Sequence, residues 1–129
     1  MQEVRQVLAF DPGRNVGVAL VAADGELLSV RTVTLAEAVE ADVEPGTAVI
    51  AGDGTGSTDL VAGLRRRGLE PLVVDERGTT LAARDLYWRV NPPGWPLRLL
   101  PASLRPQPRD LDGYAAWALA LRWLSQVQG

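Results

Sequence analysis

The sequence predicts an α/β domain in which a mixed five-stranded sheet carries helices on both faces. Its 129 residues, 47% of them hydrophobic, have the size and balance of a single domain, residues 1–129, with a buried core. The first third contains three β-rich segments joined by tight turns, whereas strand and helix patterns alternate after residue 46. Short turns suffice for antiparallel strands, but parallel strands need crossover segments such as helices. The sheet is therefore predicted to combine an antiparallel meander with parallel βα units.

The meander comes first. Residues 4–11 form a β-rich segment that ends at the Pro12-Gly13 turn, and residues 16–22 form the second strand. Asp24-Gly25 is a dipeptide favoured in two-residue hairpin turns, so residues 26–33 are predicted to pair with the second strand. Thr34 then follows as the cap of a short helix that runs through residue 41.

The remaining elements alternate. Residues 47–52 and 69–75 are apolar enough for buried strands. Helices are predicted from Ser57 or Thr58 to about residue 67, over residues 79–89 and over residues 110–126, the last with apolar residues along one side. Residues 91–109 hold six of the nine prolines and are predicted to be an irregular loop.

The composition excludes several kinds of catalysis. The chain has no His and no Cys, and all 13 of its basic residues are Arg. Catalytic triads with His, thiol nucleophiles, His- or Cys-bound metals and lysine Schiff bases are therefore excluded. Chemistry in this protein must use carboxylates, hydroxyls, Arg and bound ions.

Charge is divided unevenly along the chain. Residues 1–60 carry three Arg and ten acids, or −7, whereas residues 61–129 carry ten Arg and six acids, or +4. A cationic half can hold a phosphate backbone locally even though the net charge is −3. The N-terminus lacks an apolar signal segment, and no stretch approaches 18 uninterrupted apolar residues. The sequence therefore predicts a cytoplasmic protein without a membrane partner.

Acidic residues follow the strands that are predicted to be parallel. They are Asp11, Asp53 and the Asp75-Glu76 pair, and Asp110 and Asp112 open the last helix. Each has an ordinary structural explanation as a turn residue, a strand end or a helix cap. If the strands are neighbours, however, their carboxyl ends meet at one edge, where crowded carboxylates favour Mg²⁺ or Mn²⁺. Two such ions about 3.5–4 Å apart can activate water for phosphodiester cleavage.

Three segments resemble a known family. LAFDPGRNVGVAL (8–20) resembles the first-strand motif of the ribonuclease H-like superfamily, and VVDERGTTLAARDL (73–86) resembles the DER-x-TT motif of the YqgF family, also called RuvX. LDGYAAWALALRWL (111–124) resembles the final helix of that family. The family is bacterial, is described as Holliday junction resolvases and is implicated in the maturation of pre-16S ribosomal RNA. The resemblance implies a ribonuclease H-like fold.

The resemblance also implies a site. The acids of the family motifs fall on Asp11, Glu76 and Asp112, which would be catalytic and would hold Mg²⁺ or Mn²⁺. Two departures bear on this assignment. AGDGTGS (51–57) replaces the usual G-L-P loop, and the related RuvC resolvases have a catalytic Glu near that strand end, so Asp53 is a further candidate ligand, as is Asp110. The family's Lys-rich segment is replaced by residues 91–109, which leaves Arg to contact phosphate.

Arginines are the candidate nucleic-acid contacts. The set comprises Arg14, Arg77, Arg98, Arg105 and Arg109, with Arg65, Arg66 and Arg67 at a helix end as either solvated residues or further phosphate contacts. Aromatic residues beside the proline-rich loop are expected in local packing or in a homodimer contact rather than in base stacking; they are Tyr87, Trp88 and Trp95.

The predicted function is that of a divalent-metal-dependent nuclease acting on RNA or branched DNA. Two alternatives remain. One is a catalytically silent nucleic-acid-binding or ribosome-assembly module with the same fold, which would bind structured RNA without cleaving it. The other is a nucleotide-binding fragment of the actin or sugar-kinase type, whose phosphate loops GDGTGS (52–57) loosely resembles. Such proteins need two similar halves, and this chain has the length of one.

Overall fold

A computed structural model describes residues 4–101, 104–105 and 111–128. The strands are β1 Gln6–Asp11, β2 Val16–Ala22, β3 Leu27–Val33, β4 Thr47–Gly52 and β5 Leu72–Val74. The α-helices in this part of the chain are α1 Leu35–Val39, α2 Ser57–Arg66, α3 Thr79–Val90 and α4 Leu111–Gln128, and a 3-10 helix covers Leu97–Leu99. None of these helices has the length and apolarity to cross a lipid bilayer.

The five strands form one mixed sheet in the order β3-β2-β1-β4-β5. β2 is antiparallel to both β1 and β3, whereas β4 is parallel to β1 and to β5. The predicted meander and parallel units are therefore confirmed. β1, β4 and β5 all end at the same edge of the sheet, which we call the carboxyl edge.

Each face of the sheet is covered by helices. On β1, Val7 and Ala9 point to the side that is packed by α3 and α4, whereas Leu8 and Phe10 point to the side that is packed by α1 and α2. This alternation follows from the two-residue period of a β-strand. It explains why β1 is apolar almost throughout: the strand is buried on both faces.

Element ends depart from the prediction where tertiary pairing decides them. β1 begins at Gln6, α1 ends at Val39, and the expected strand 69–75 shrinks to three residues, Leu72–Val74. Pro71 has no N–H for a ladder, and the N–H of Leu69 donates to the carbonyl of Leu64 at the end of α2. Thr34 does cap α1, with Glu37 completing a capping box.

Candidate metal and nucleic-acid site

Asp11 and Glu76 meet at the carboxyl edge. Asp11 is the last residue of β1, and Glu76 lies two residues beyond the end of β5. Burial raises the pKa of Asp11 to about 8, helped by the Glu76 side chain within hydrogen-bonding reach and by the negative charges of Glu76 and Asp112. The two carboxylates therefore form a repelling pair that favours either a shared proton or a bound cation.

The Glu76 side chain lies in a space that two glycines leave open. A Cβ atom on Gly54 would come within 1.7 Å of Glu76 Oε1, and one on Gly52 within 2.5 Å of Oε2. Glu76 Oε2 is itself buried and has no hydrogen-bond partner. Since a buried carboxylate oxygen without a donor is costly, this atom is chemically suited to a cation.

Asp112 is brought to the same edge by a close approach of α4 to the sheet. Gly17 is the register partner of Asp11 on β2, and a Cβ atom on Gly17 would lie 1.9 Å from the backbone carbonyl oxygen of Asp112. Gly113 is equally restricted, because its Cβ atom would lie 2.4 Å from Val30. The side chain of Asp112 is exposed, and its charge acts on Asp11.

Asp53 has a different role in this structure. Its Oδ1 accepts a hydrogen bond of 3.2 Å from the backbone N–H of Glu76, and the residue is exposed. Asp53 therefore braces the backbone that carries Glu76. The glycines on either side of Asp53 leave room for the Glu76 side chain.

Asp75 and Arg77 form an ion pair beside Glu76. Their nearest charged atoms are 3.1 Å apart, and the Arg77 side chain is 92% exposed. The backbone N–H of Arg77, then its guanidinium, lower the pKa of Asp75. Of the predicted acidic pair, only Glu76 thus makes contact with Asp11, and Arg77 reaches solvent next to the site.

Arg122 was not among the sequence candidates. From α4 it donates one hydrogen bond to the carbonyl of Asp75 and another, of 2.6 Å, to the carbonyl of Arg77. The only sequence signal was a charged residue within the apolar run AWALALRWL (116–124). That signal did not indicate a partner more than 40 residues away.

The arginines predicted to contact phosphate fall into two groups: some make hydrogen bonds or ion pairs with described residues, and others do not. Arg67 donates to the carbonyls of Val39 and Ala41 at 2.7 and 2.8 Å, so it joins α2 to the end of α1. Arg65 pairs with Glu70 at 3.7 Å, and Arg66 donates to its own helix at the carbonyl of Ala62.

The other candidates lie nearer to the proline-rich segment or to the site. Arg105 donates to the carbonyl of Leu97 and sits 5.2 Å from the ring centre of Trp88. The exposed side chains of Arg14 and Arg98 make no hydrogen bond or ion pair with any residue that the structure describes. Arg109 and Asp110 lie outside the described residues.

Two of the three aromatic residues pack locally, as expected. Tyr87 makes edge-on contacts with Trp88 and Tyr114, at centroid distances of 4.9 and 5.3 Å. Trp95 is 71% exposed, so packing within the described residues does not account for it. Its part in a homodimer contact stays a prediction.

The acidic side chains that the structure describes at the carboxyl edge do not by themselves form a complete metal site. Within residues 4–101, 104–105 and 111–128, no group of three acidic side chains has the arrangement of a ready metal site. The donor chemistry nevertheless fits a hard cation, since Asp11 and Glu76 are in contact and Glu76 Oε2 lacks a donor. No protein-family model matches the chain, and no curated protein matches its sequence.

Proposed function

We propose that this protein is a divalent-metal-dependent nuclease with a ribonuclease H-like fold that cleaves phosphodiester bonds in structured RNA or branched DNA. The observation that carries the proposal is the contact between Asp11 and Glu76 at the carboxyl edge, where the backbone of Asp112 packs against Gly17, the register partner of Asp11. The order of strands and the resemblance of the three motifs support the same assignment.

Asp11 and Glu76 would hold the ion, with Asp112 as a third ligand from α4. When bound, Mg²⁺ or Mn²⁺ would supply activation of the attacking water and neutralise charge on the leaving oxygen. Asp11 would serve as a ligand in its carboxylate form, which a neighbouring cation would favour. The Glu76 side chain occupies the space that Gly52 and Gly54 leave open, and Asp53 accepts a hydrogen bond from the backbone N–H of Glu76.

Binding of a nucleic-acid substrate would require contacts to its phosphates around the carboxyl edge. α2 and α3 begin there after Gly56 and Gly78, and neither helix has a side-chain cap. Backbone N–H groups at such helix starts attract phosphate oxygens. Arg14, on the turn after Asp11, is an exposed cation on the same side. Its free side chain is suited to a phosphate of the bound strand.

The test is a cleavage assay with Mn²⁺ and with Mg²⁺ on single-stranded RNA, duplexes and four-way junctions. Asp11→Asn should abolish cleavage and weaken Mn²⁺ binding while the fold is kept. Asp85→Asn is the matched control, because Asp85 is an exposed acid on α3 that makes no hydrogen bond or ion pair among the described residues. Full activity of Asp11→Asn would overturn the proposal.

One observation favours the second candidate, a silent nucleic-acid-binding module. The described residues do not form a ready three-acid site, and the raised pKa of Asp11 favours its protonated form near neutral pH. Such a module would bind structured RNA with the same affinity with or without Mn²⁺ and would cleave none of the substrates. Cleavage that depends on Mn²⁺ and on Asp11 would exclude it.

A further inference from the structure

We propose that Arg122 is a positioning residue, which holds the turn formed by residues 75–78 so that Glu76 stays against Asp11. We call these four residues the Glu76 turn. The inference rests on the proposed role of Glu76 as a metal ligand. Arg122 lies on α4 and bonds to backbone carbonyls of this turn.

The Arg122 guanidinium donates hydrogen bonds to the backbone on both sides of Glu76. One nitrogen donates to the carbonyl of Asp75 and the other to the carbonyl of Arg77, so the residues before and after Glu76 are both held. The backbone N–H of Glu76 is held separately by Asp53. Three hydrogen bonds from two distant parts of the chain thus define the backbone at this one residue.

The turn needs such support. β5 ends at Val74, so the sheet ladder does not continue into the Glu76 turn. A planar guanidinium with two donors can bond to both carbonyls at once, whereas an ammonium acts as a point charge.

Arg122 also connects α4, which carries Asp112, to the Glu76 turn. It lies ten residues after Asp112, so the same helix carries Asp112 and the side chain that holds the backbone around Glu76. Because both of its donating nitrogens are engaged by carbonyls, Arg122 is a poor candidate for phosphate binding. Among the described residues it forms no ion pair with a carboxylate.

The test compares Arg122→Met, which keeps the length of the side chain and removes its donors, with Arg122→Lys. Arg89→Met is the matched control, since Arg89 is exposed on α3 and makes no side-chain hydrogen bond or ion pair among the described residues. Circular dichroism and thermal melting check folding. If Arg122→Met does not fold, the measurements are made on Arg122→Lys, for which smaller changes in the same direction are expected.

The first readout is amide hydrogen exchange in the metal-free protein, which is independent of the proposed function. Exchange at Glu76 and Arg77 should accelerate by at least about tenfold in Arg122→Met, as expected when charge-assisted hydrogen bonds are lost. Exchange in β1 and β2 should not change. An unchanged rate at Glu76 and Arg77 would overturn the inference.

The second readout is Mn²⁺ affinity by titration calorimetry. Arg122→Met should weaken binding by about 10- to 100-fold, the range for groups that orient a metal ligand. In a Glu76→Gln background the same change should cost less than about twofold, because Arg122 acts through Glu76. An equal loss in both backgrounds would show a merely structural role and overturn the inference. If the wild-type protein neither binds Mn²⁺ nor cleaves, the proposed function fails, and the exchange result still decides whether Arg122 holds the turn.

Discussion

Asp53 and Glu76 follow adjacent parallel strands and look equivalent in the sequence, yet the structure uses them in opposite ways. The carboxylate of Glu76 faces Asp11, whereas that of Asp53 accepts the backbone N–H of Glu76. An acid at the end of a parallel strand is therefore not a ligand by position alone. The contacts of its carboxylate decide whether it lies against another acid or holds the backbone of a neighbouring turn.

Side-chain length and the surrounding glycines explain the difference. Glu reaches one methylene further than Asp, and Gly52 and Gly54 leave room for that longer side chain from the neighbouring strand. Asp53 stands between these glycines and reaches only the adjacent turn. Asp53, which has the shorter side chain, thus holds the backbone of Glu76.

The largest effect in this comparison is expected for Glu76→Gln. The change keeps the shape of the side chain and removes the charge that would hold the ion. Cleavage should fall by at least about 100-fold, or roughly 2.7 kcal/mol of barrier. Single-turnover assays at saturating Mn²⁺ would measure this. Cleavage by Glu76→Gln at the wild-type rate would contradict the different roles assigned to Glu76 and Asp53.

Gly54→Ala tests the same site without touching a charge. The added methyl would overlap Glu76 Oε1, so the carboxylate must move away from its present position. Cleavage should fall by about tenfold or more, since small displacements of positioned groups are costly in rate. Gly94→Ala is the control, because nothing lies within 4 Å of its Cβ position. Equal activity of the two variants would contradict the assigned position of Glu76.

Asp53 should be the milder site, and two substitutions separate its roles. Asp53→Asn keeps an oxygen acceptor for the N–H of Glu76 and should cost less than about tenfold in rate. Asp53→Ala removes that acceptor and should cost more than Asp53→Asn, in line with the roughly 0.5–1.5 kcal/mol net contribution of an ordinary hydrogen bond. If Asp53→Asn were more damaging than Glu76→Gln, Asp53 would be the ligand and the site would resemble that of RuvC.

The smallest effect is on stability and depends on pH. The pKa of Asp11 is raised from 3.8 to about 8 in the folded protein, so the unfolded chain releases this proton at lower pH. The favourable contribution of the protonated acid is therefore present below about pH 4 and is lost as the pH rises to about 8. In metal-free buffer Asp11→Asn should melt a few degrees above the wild type at pH 8, with a smaller gap at pH 5. A gap that narrows as pH rises would contradict the raised pKa of Asp11.

Local sequence patterns determined most of the secondary structure. β2 and β4 have the predicted bounds, and α1 begins at the predicted Thr34 cap, because alternation, turn residues and caps act within a few positions. The sequence also placed Asp11 at a strand end. The sequence also indicated which strands are parallel, because the helices that connect them were recognisable from their own sequence patterns.

The tertiary structure alone decided which acids meet and what holds them. Glu76 contacts Asp11 across 65 positions of the chain, Asp53 supports Glu76 across 23, and Arg122 reaches Asp75 across 47. Arg67 was expected at a solvated helix end or on phosphate, yet it bonds to the carbonyls at the end of α1. Each of these contacts joins residues at least 23 positions apart in the chain, so each side chain finds its partner only after the elements have packed.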